Sequence, residues 1–227
     1  MLFIASPVRR SGTTLLQRLC SASGEALIFG ETAAGDLLSA AAMFQAKQHT
    51  IRYNAEWRDN HLAEVLAGQV NQWIPDVLPE VDAYLAIHGV LLHLLCGGFA
   101  RAAATHGRSR WGVKLPEWPI QNLLFWQQLL PASKTIYIVR DHDECLASAL
   151  KMGIVQEQDR PRFRQVYDQY LAQARQHLLP DQTYFLNYTD LLGNKGPATL
   201  KALASFTGLS ELPESVLAVR VGNYPRH

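Results

Sequence analysis

Leu2-Phe3-Ile4-Ala5-Ser6-Pro7-Val8-Arg9-Arg10-Ser11-Gly12-Thr13-Thr14-Leu15-Leu16 passes from a short apolar run into a segment of helical spacing. Leu2 to Ala5 reads as a buried strand, and the apolar positions from Thr13 to Cys20 recur as on one helix face. Pro7 to Gly12 is therefore a tight strand-to-helix turn. Such a turn presents unpaired backbone N–H groups and the positive end of a helix, which together favour an anion.

Outward from this turn, the same alternation repeats. Ala26 to Phe29 is a second short strand closed by Gly30, and a helix is expected from Ala33 to Lys47. Strands are expected at Arg110 to Lys114, Thr135 to Val139 and Thr183 to Leu186. Helices are expected at Ile120 to Leu130, from Arg140-Asp141 to about Met152, at Arg162 to Leu178 and at Pro197 to Phe206. The stretch 53–105 reads as mostly helix, broken near Trp73-Ile74-Pro75 and Leu78-Pro79. Strands that are continuous apolar runs, alternating with helices, imply a parallel sheet of about four or five strands covered on both faces. In such a sheet ligands bind beyond the carboxyl ends of the strands, so the loops after Ala5, Phe29, Lys114 and Val139 are the places for chemistry.

The 227 residues are the length of one domain, which should bury roughly 70–75% of its unfolded surface. With 48% hydrophobic and 18% charged residues, and 21 Lys+Arg against 20 Asp+Glu, neither disorder nor a bulk attraction to nucleic acid is indicated. Any anion site is local. Cys20, Cys96 and Cys145 are too few and scattered for a disulfide framework or a zinc site, which fits a reducing compartment. The apolar run at the N-terminus precedes Arg9 and Arg10, the reverse of a secretory signal, and a start at Met1 directly in a strand points to a cytoplasmic protein. Tyr84 to Ala104 is apolar enough to raise a membrane question. His88, His93, Gly97, Gly98 and Arg101 interrupt it, so it is read as a buried core helix and no membrane partner is expected.

Compared with the nucleotide loop GxxxxGK[ST], the first Gly position is Pro7 and the Lys position is Thr13, so that reading fails while the anion cradle survives with Arg10 as its cation. Arg10-Ser11-Gly12-Thr13-Thr14-Leu15-Leu16 resembles the 5′-phosphosulfate loop of sulfotransferases, enzymes that use 3′-phosphoadenosine 5′-phosphosulfate (PAPS) and release the bisphosphate PAP. Ile138 to Ser148 resembles their 3′-phosphate segment, with Arg140 after a strand and Ser148 eight residues later. His142 stands where the family often has Pro. Gly112-Val113-Lys114-Leu115-Pro116 is similar to the family's Lys-containing loop, and Tyr188-Thr189-Asp190-Leu191 to its Tyr-Glu-Asp-Leu. The Gly-rich basic segment that cytosolic members carry near the C-terminus is absent, with Val221 to Arg226 a loose substitute. Glu31 follows Arg10 by 21 residues, as the catalytic Glu follows the Arg in tyrosylprotein sulfotransferases, the members closest in motif register.

The resemblance implies a single-domain, P-loop-containing three-layer α/β/α fold over 1–227, with a helical acceptor-side region at about 40–107. It implies sulfuryl transfer from PAPS to the hydroxyl of a peptide tyrosine, phenol or small-molecule alcohol, without a metal. Glu31, Arg10 and Lys114 would be catalytic, Glu31 as general base; Arg10, Ser11, Gly12, Thr13, Thr14, Arg140 and Ser148 would bind the cofactor. Read without it, Glu31 is an N-terminal dipole partner of the following helix, and Lys114 is a solvated cation or a partner of Glu117. Likewise Arg140-Asp141 is an ion pair closing a turn, and Trp118 is a core aromatic or an acceptor-pocket wall. His88 or His93 would replace Glu31 as base if it fails. The rival functions are a non-catalytic PAPS/PAP-binding module and a P-loop nucleotide kinase. No sequence feature bears on oligomeric state.

Overall fold

The computed structural model describes residues 1–69 and 77–219. The N-terminal apolar run becomes β1 (Leu2–Ser6), buried at every position, and α1 (Thr13–Ala22) follows the tight turn. β2 (Ala26–Phe29) leads into α2 (Glu31–Arg52). Two further helices, α3 (Ala55–Leu66) and α4 (Val81–Thr105), precede β3 (Arg110–Pro116). Then come α5 (Ile120–Leu129), β4 (Lys134–Val139), α6 (His142–Lys151), α7 (Arg160–His177), β5 (Thr183–Asn187) and α8 (Gly196–Thr207). Helix breaking at Leu78-Pro79 agrees with expectation; Trp73 to Pro75 and Val221 to Arg226 lie outside the described residues.

Among the described residues the sheet has five strands in the order β2-β3-β1-β4-β5, all parallel. Ile4 stands opposite both Lys114 and Ile136, so β1 is the central strand. Alternation along the strands divides the core. Leu2, Ile4, Ile136 and Ile138 face α1 and α8, packing with Leu16, Leu19, Leu200 and Leu203. Phe3 and Tyr137 point the other way, Phe3 edge-on to Trp118 and Tyr137 donating its hydroxyl to the Tyr170 carbonyl of α7. Gln127 of α5 donates to the hydroxyls of both Thr135 and Thr183 at 2.9 Å, clamping β4 to β5 beneath that face. Helices thus cover both faces of the sheet in three layers.

The chain divides into two compact units, Met1–Gly35 with Ala100–His227, and Asp36–Phe99. The first holds the sheet. The second is helical, with Ile51, Val81 and Leu85 in a small core of its own. The expectation that the apolar stretch around Tyr84 to Ala104 is a buried core helix is corrected: only 17% of the most apolar window of α4 is buried. Among the described residues α4 is the one helix long and apolar enough to cross a membrane by length and composition. Its buried positions, Val81, Leu85, His88, Leu92 and Ala103, lie along one row, and Ile87, Val90, Leu91 and Leu94 lie exposed.

Candidate functional site

In the parallel sheet every strand delivers its following loop to the same edge, and the residues singled out in the sequence gather there. In the loop after β1, the hydroxyls of Ser6 and Ser11 both donate to the Val8 carbonyl at 2.8 Å, winding the turn on itself. Ser11 is fully buried, and its hydroxyl serves the loop. Arg10 and Gly12 take positive φ, 72° and 106°. At Gly12 a Cβ would stand 2.7 Å from Cδ2 of Tyr188 and 3.0 Å from Cδ1 of Ile138, so only glycine lets the ring lie on the loop. Thr13 is buried and Thr14 exposed at the start of α1. That helix has no acidic residue in its first turn and no side-chain cap, the arrangement that leaves its N-terminus to an external anion.

Arg10 reaches across to α6, where its Nε donates to Ser148 Oγ at 3.0 Å. Arg140, just beyond β4, donates from Nη1 to the Arg10 carbonyl at 3.3 Å and from Nε to Glu144 at 2.8 Å. Its guanidinium lies 4.7 Å from the ring centre of Tyr188, whose loop follows β5. The Tyr167 hydroxyl holds the Arg140 carbonyl at 2.8 Å. The reading of Arg140-Asp141 as an ion pair is corrected: the Asp141 carboxylate caps α6 by accepting from the Glu144 N–H at 3.1 Å, and Glu144 is the ion-pair partner of Arg140.

Lys114 and Glu31 make the second cluster. Lys114 Nζ donates to Glu31 Oε1 at 2.6 Å, the lysine nearly buried and the carboxylate half-exposed in the first turn of α2. Glu117 is not the partner of Lys114; it accepts from the Arg9 N–H at 3.3 Å. Trp118 takes the first of its two expected places, that of a core aromatic: it is fully buried, with its indole N–H donating to Asn122 at 2.8 Å. His88 and His93 sit on α4, each with Nδ1 near the carbonyl one turn earlier, Tyr84 at 3.1 Å and Gly89 at 2.9 Å. His142 is buried against Phe163 and Tyr167, its Nδ1 2.8 Å from Asp143. Burial pushes the thiol of Cys145 up, against the opposing contact of Ser11.

Two participants had no role assigned from sequence. Tyr188 faces both Gly12 and Arg140, and Glu144 holds the Arg140 fork. Tyr188 entered only as the first residue of the Tyr-Thr-Asp-Leu resemblance, and Glu144 was signalled by its place one helical turn from Arg140. Among the described residues no group of three or more His, Cys, Asp or Glu side chains is placed to hold a metal ion.

The edge thus presents Arg10, Arg140, Lys114, a bare helix N-terminus and the hydroxyls of Thr14 and Ser148, a set suited to an extended polyanion. The sulfotransferase domain from the curacin biosynthetic pathway matches with a TM-score of 0.55 at 20% identity, over 94% of this chain and 75% of that one. The sulfotransferase domain from the Synechococcus PCC 7002 olefin synthase matches with a TM-score of 0.58 at 16% identity, over 96% of this chain and 75% of that one. At these identities the likeness is one of fold. No curated protein matches the chain. The sulfotransferase family profile matches residues 2–214, and with the shared fold it establishes that the chain belongs to the sulfotransferase family.

Proposed function

We propose that the protein transfers a sulfuryl group from PAPS to an acceptor hydroxyl, phenolic or alcoholic, on a small molecule or a peptide. The observation that carries this reading is the joining of Arg10, Ser148 and Arg140 in one hydrogen-bonded group beside the bare N-terminus of α1. A nucleotide with phosphate at both ends needs two such grips. The loop amides from Ser11 to Thr14, with Arg10, hold the 5′-phosphosulfate; Arg140 and Ser148 hold the 3′-phosphate. Arg10 touches Ser148 and so belongs to both.

Sulfuryl transfer is an in-line displacement with charge spreading onto the equatorial and leaving oxygens, and positioned cations lower its barrier. Lys114 supplies one such cation from a nearly buried position, where its charge is little screened. Glu31, held by Lys114, takes the acceptor proton. The bond between sulfur and the 5′-phosphate oxygen breaks as the acceptor oxygen–sulfur bond forms, and the bisphosphate leaves with the electron pair. The position of Glu31, 21 residues after Arg10, supports a tyrosine or phenol among the acceptors.

Thermal unfolding with PAP, with ADP and with ATP plus magnesium tests the binding step, and sulfur-35 transfer from labelled PAPS to phenol, alcohol and tyrosyl-peptide acceptors tests turnover. A ligand at a hundredfold excess over Kd adds about 2.7 kcal/mol to stability. A shift with PAP alone, lost in Arg140→Ala, is expected; a shift only with ATP and magnesium would replace this reading with a nucleotide kinase. Binding without transfer to any acceptor, with Glu31→Gln indistinguishable from wild type, would leave a PAP-binding module.

A further inference from the structure

Helix α4 has two apolar rows and only one of them is covered. Val81, Leu85, His88 and Leu92 are buried, whereas Ile87, Val90, Leu91 and Leu94 are 50%, 56%, 47% and 59% exposed. The exposed four follow the i, i+3, i+4, i+7 spacing of a helix–helix seam. A contiguous row of large aliphatic side chains facing water marks an interaction surface.

The row is symmetric about its own middle. Ile87 and Leu94 stand equally far from the Val90–Leu91 step, so an antiparallel copy of the same helix sets Ile87 against Leu94 and Val90 against Leu91. Its ends carry opposite charges: Glu80 lies seven residues before Ile87 and Arg101 seven after Leu94, both exposed. Among the described residues neither side chain makes an ion pair with another. An antiparallel copy brings each Glu80 to the partner's Arg101, and two-fold symmetry makes the contact twice; a parallel copy would set like charges together. Gly97 and Gly98 fall opposite Tyr84 and Ala83 in this register, and nothing stands within 4 Å of where a Cβ would lie on either glycine.

We infer that this face of α4 binds a second copy of the chain, antiparallel, through Ile87, Val90, Leu91 and Leu94, with Glu80–Arg101 pairs closing both ends. Sedimentation velocity over a concentration series tests it on the full chain, with thermal unfolding showing that each variant stays folded. Wild type is expected to associate to a dimer and Leu94→Glu to stay monomeric. Glu80→Arg and Arg101→Glu should each weaken association about tenfold, since each sets two like-charged pairs at the ends. The double variant E80R/R101E should restore it. A wild type that stays monomeric at every concentration would overturn the inference, as would a double variant no better than the single ones. Co-sedimentation of a monomeric wild type with phosphatidylcholine vesicles, lost in Leu94→Glu, would instead assign the face to lipid.

Discussion

Arg10 Nε donates to Ser148 Oγ across 3.0 Å, tying the loop after β1 to the second turn of α6 over 138 positions of sequence. The contact uses one of the five donors of the guanidinium and fixes its plane, leaving the rest of the fork free for an anion. On the proposed function this couples the two phosphate grips. Arg10→Ala and Ser148→Ala should each weaken PAP binding, and the double variant should lose less than the two losses added, by about 0.5–3 kcal/mol. Isothermal titration of the four proteins measures this, and strictly additive losses would show that the contact plays no part in binding.

The Glu31–Lys114 pair separates chemistry from binding. Replacing Glu31 by Gln keeps the shape and removes the proposed proton acceptor, so kcat should fall by roughly 10²–10⁴ while the Kd for PAP stays within about twofold. Lys114→Met should keep the fold, because methionine fills the nearly buried space with an apolar chain and the half-exposed Glu31 can be solvated without its partner. Its kcat should fall as well. Single-turnover rates with saturating PAPS distinguish these from defects in binding, and full activity in Glu31→Gln would move the base elsewhere.

On the proposed function, Glu144 competes with the 3′-phosphate for Arg140. It holds Arg140 Nε at 2.8 Å from a half-exposed position one turn along α6. Removing its charge in Glu144→Gln should tighten PAP binding about two- to fivefold, the scale of an exposed ion pair. Weaker binding in that variant would show that Glu144 serves instead to orient the guanidinium.

Alkaline pH should act through the buried thiols. Burial pushes Cys20 from 9.0 up to about 12 and Cys96 up to about 11, and moves the Tyr137 hydroxyl the same way. Well below pH 9 these groups are protonated folded or unfolded, so stability does not change on their account. Between about pH 9 and 12 the unfolded chain releases thiol protons that the folded chain keeps, so stability falls as pH rises. Melting temperatures should decline above pH 9, and less steeply in Cys20→Ala. A decline of equal slope in that variant would count against the account.

Much of this architecture was legible in the chain because parallel strands bury both faces and so read as unbroken apolar runs. Thr135 to Val139 and Ala26 to Phe29 stand in the structure within a residue of their expected bounds. The loop from Pro7 to Gly12 was legible for a similar reason, since a glycine between a strand and a helix has few other uses. What periodicity cannot carry is which distant groups meet. Lys114 and Glu31 are 83 positions apart and come together only because β2 pairs with β3. Glu117, the nearer acid, belongs to Arg9. The sidedness of α4 was equally hidden: a helix apolar on both faces looks like a core helix until its neighbours are known.

Gly12 is where the loop and the aromatic lid of Arg140 meet, and it should tolerate no side chain. Its φ of 106° is strained for any L-residue, and an added Cβ would press on the Tyr188 ring at 2.7 Å. Gly12→Ala should cost about 1–3 kcal/mol for the backbone alone, or more with the clash. For a chain of this size each kcal/mol lowers Tm by about 2–4 °C. Displacing Tyr188 also withdraws the ring beneath Arg140, so PAP affinity should fall with stability. Adding Tyr188→Ala to Gly12→Ala relieves the closer clash and leaves the Ile138 contact and the strained φ, so it should recover part of the Tm and none of the affinity. Recovery of affinity in the double variant would mean that Tyr188 does not hold the Arg140 guanidinium in its binding position.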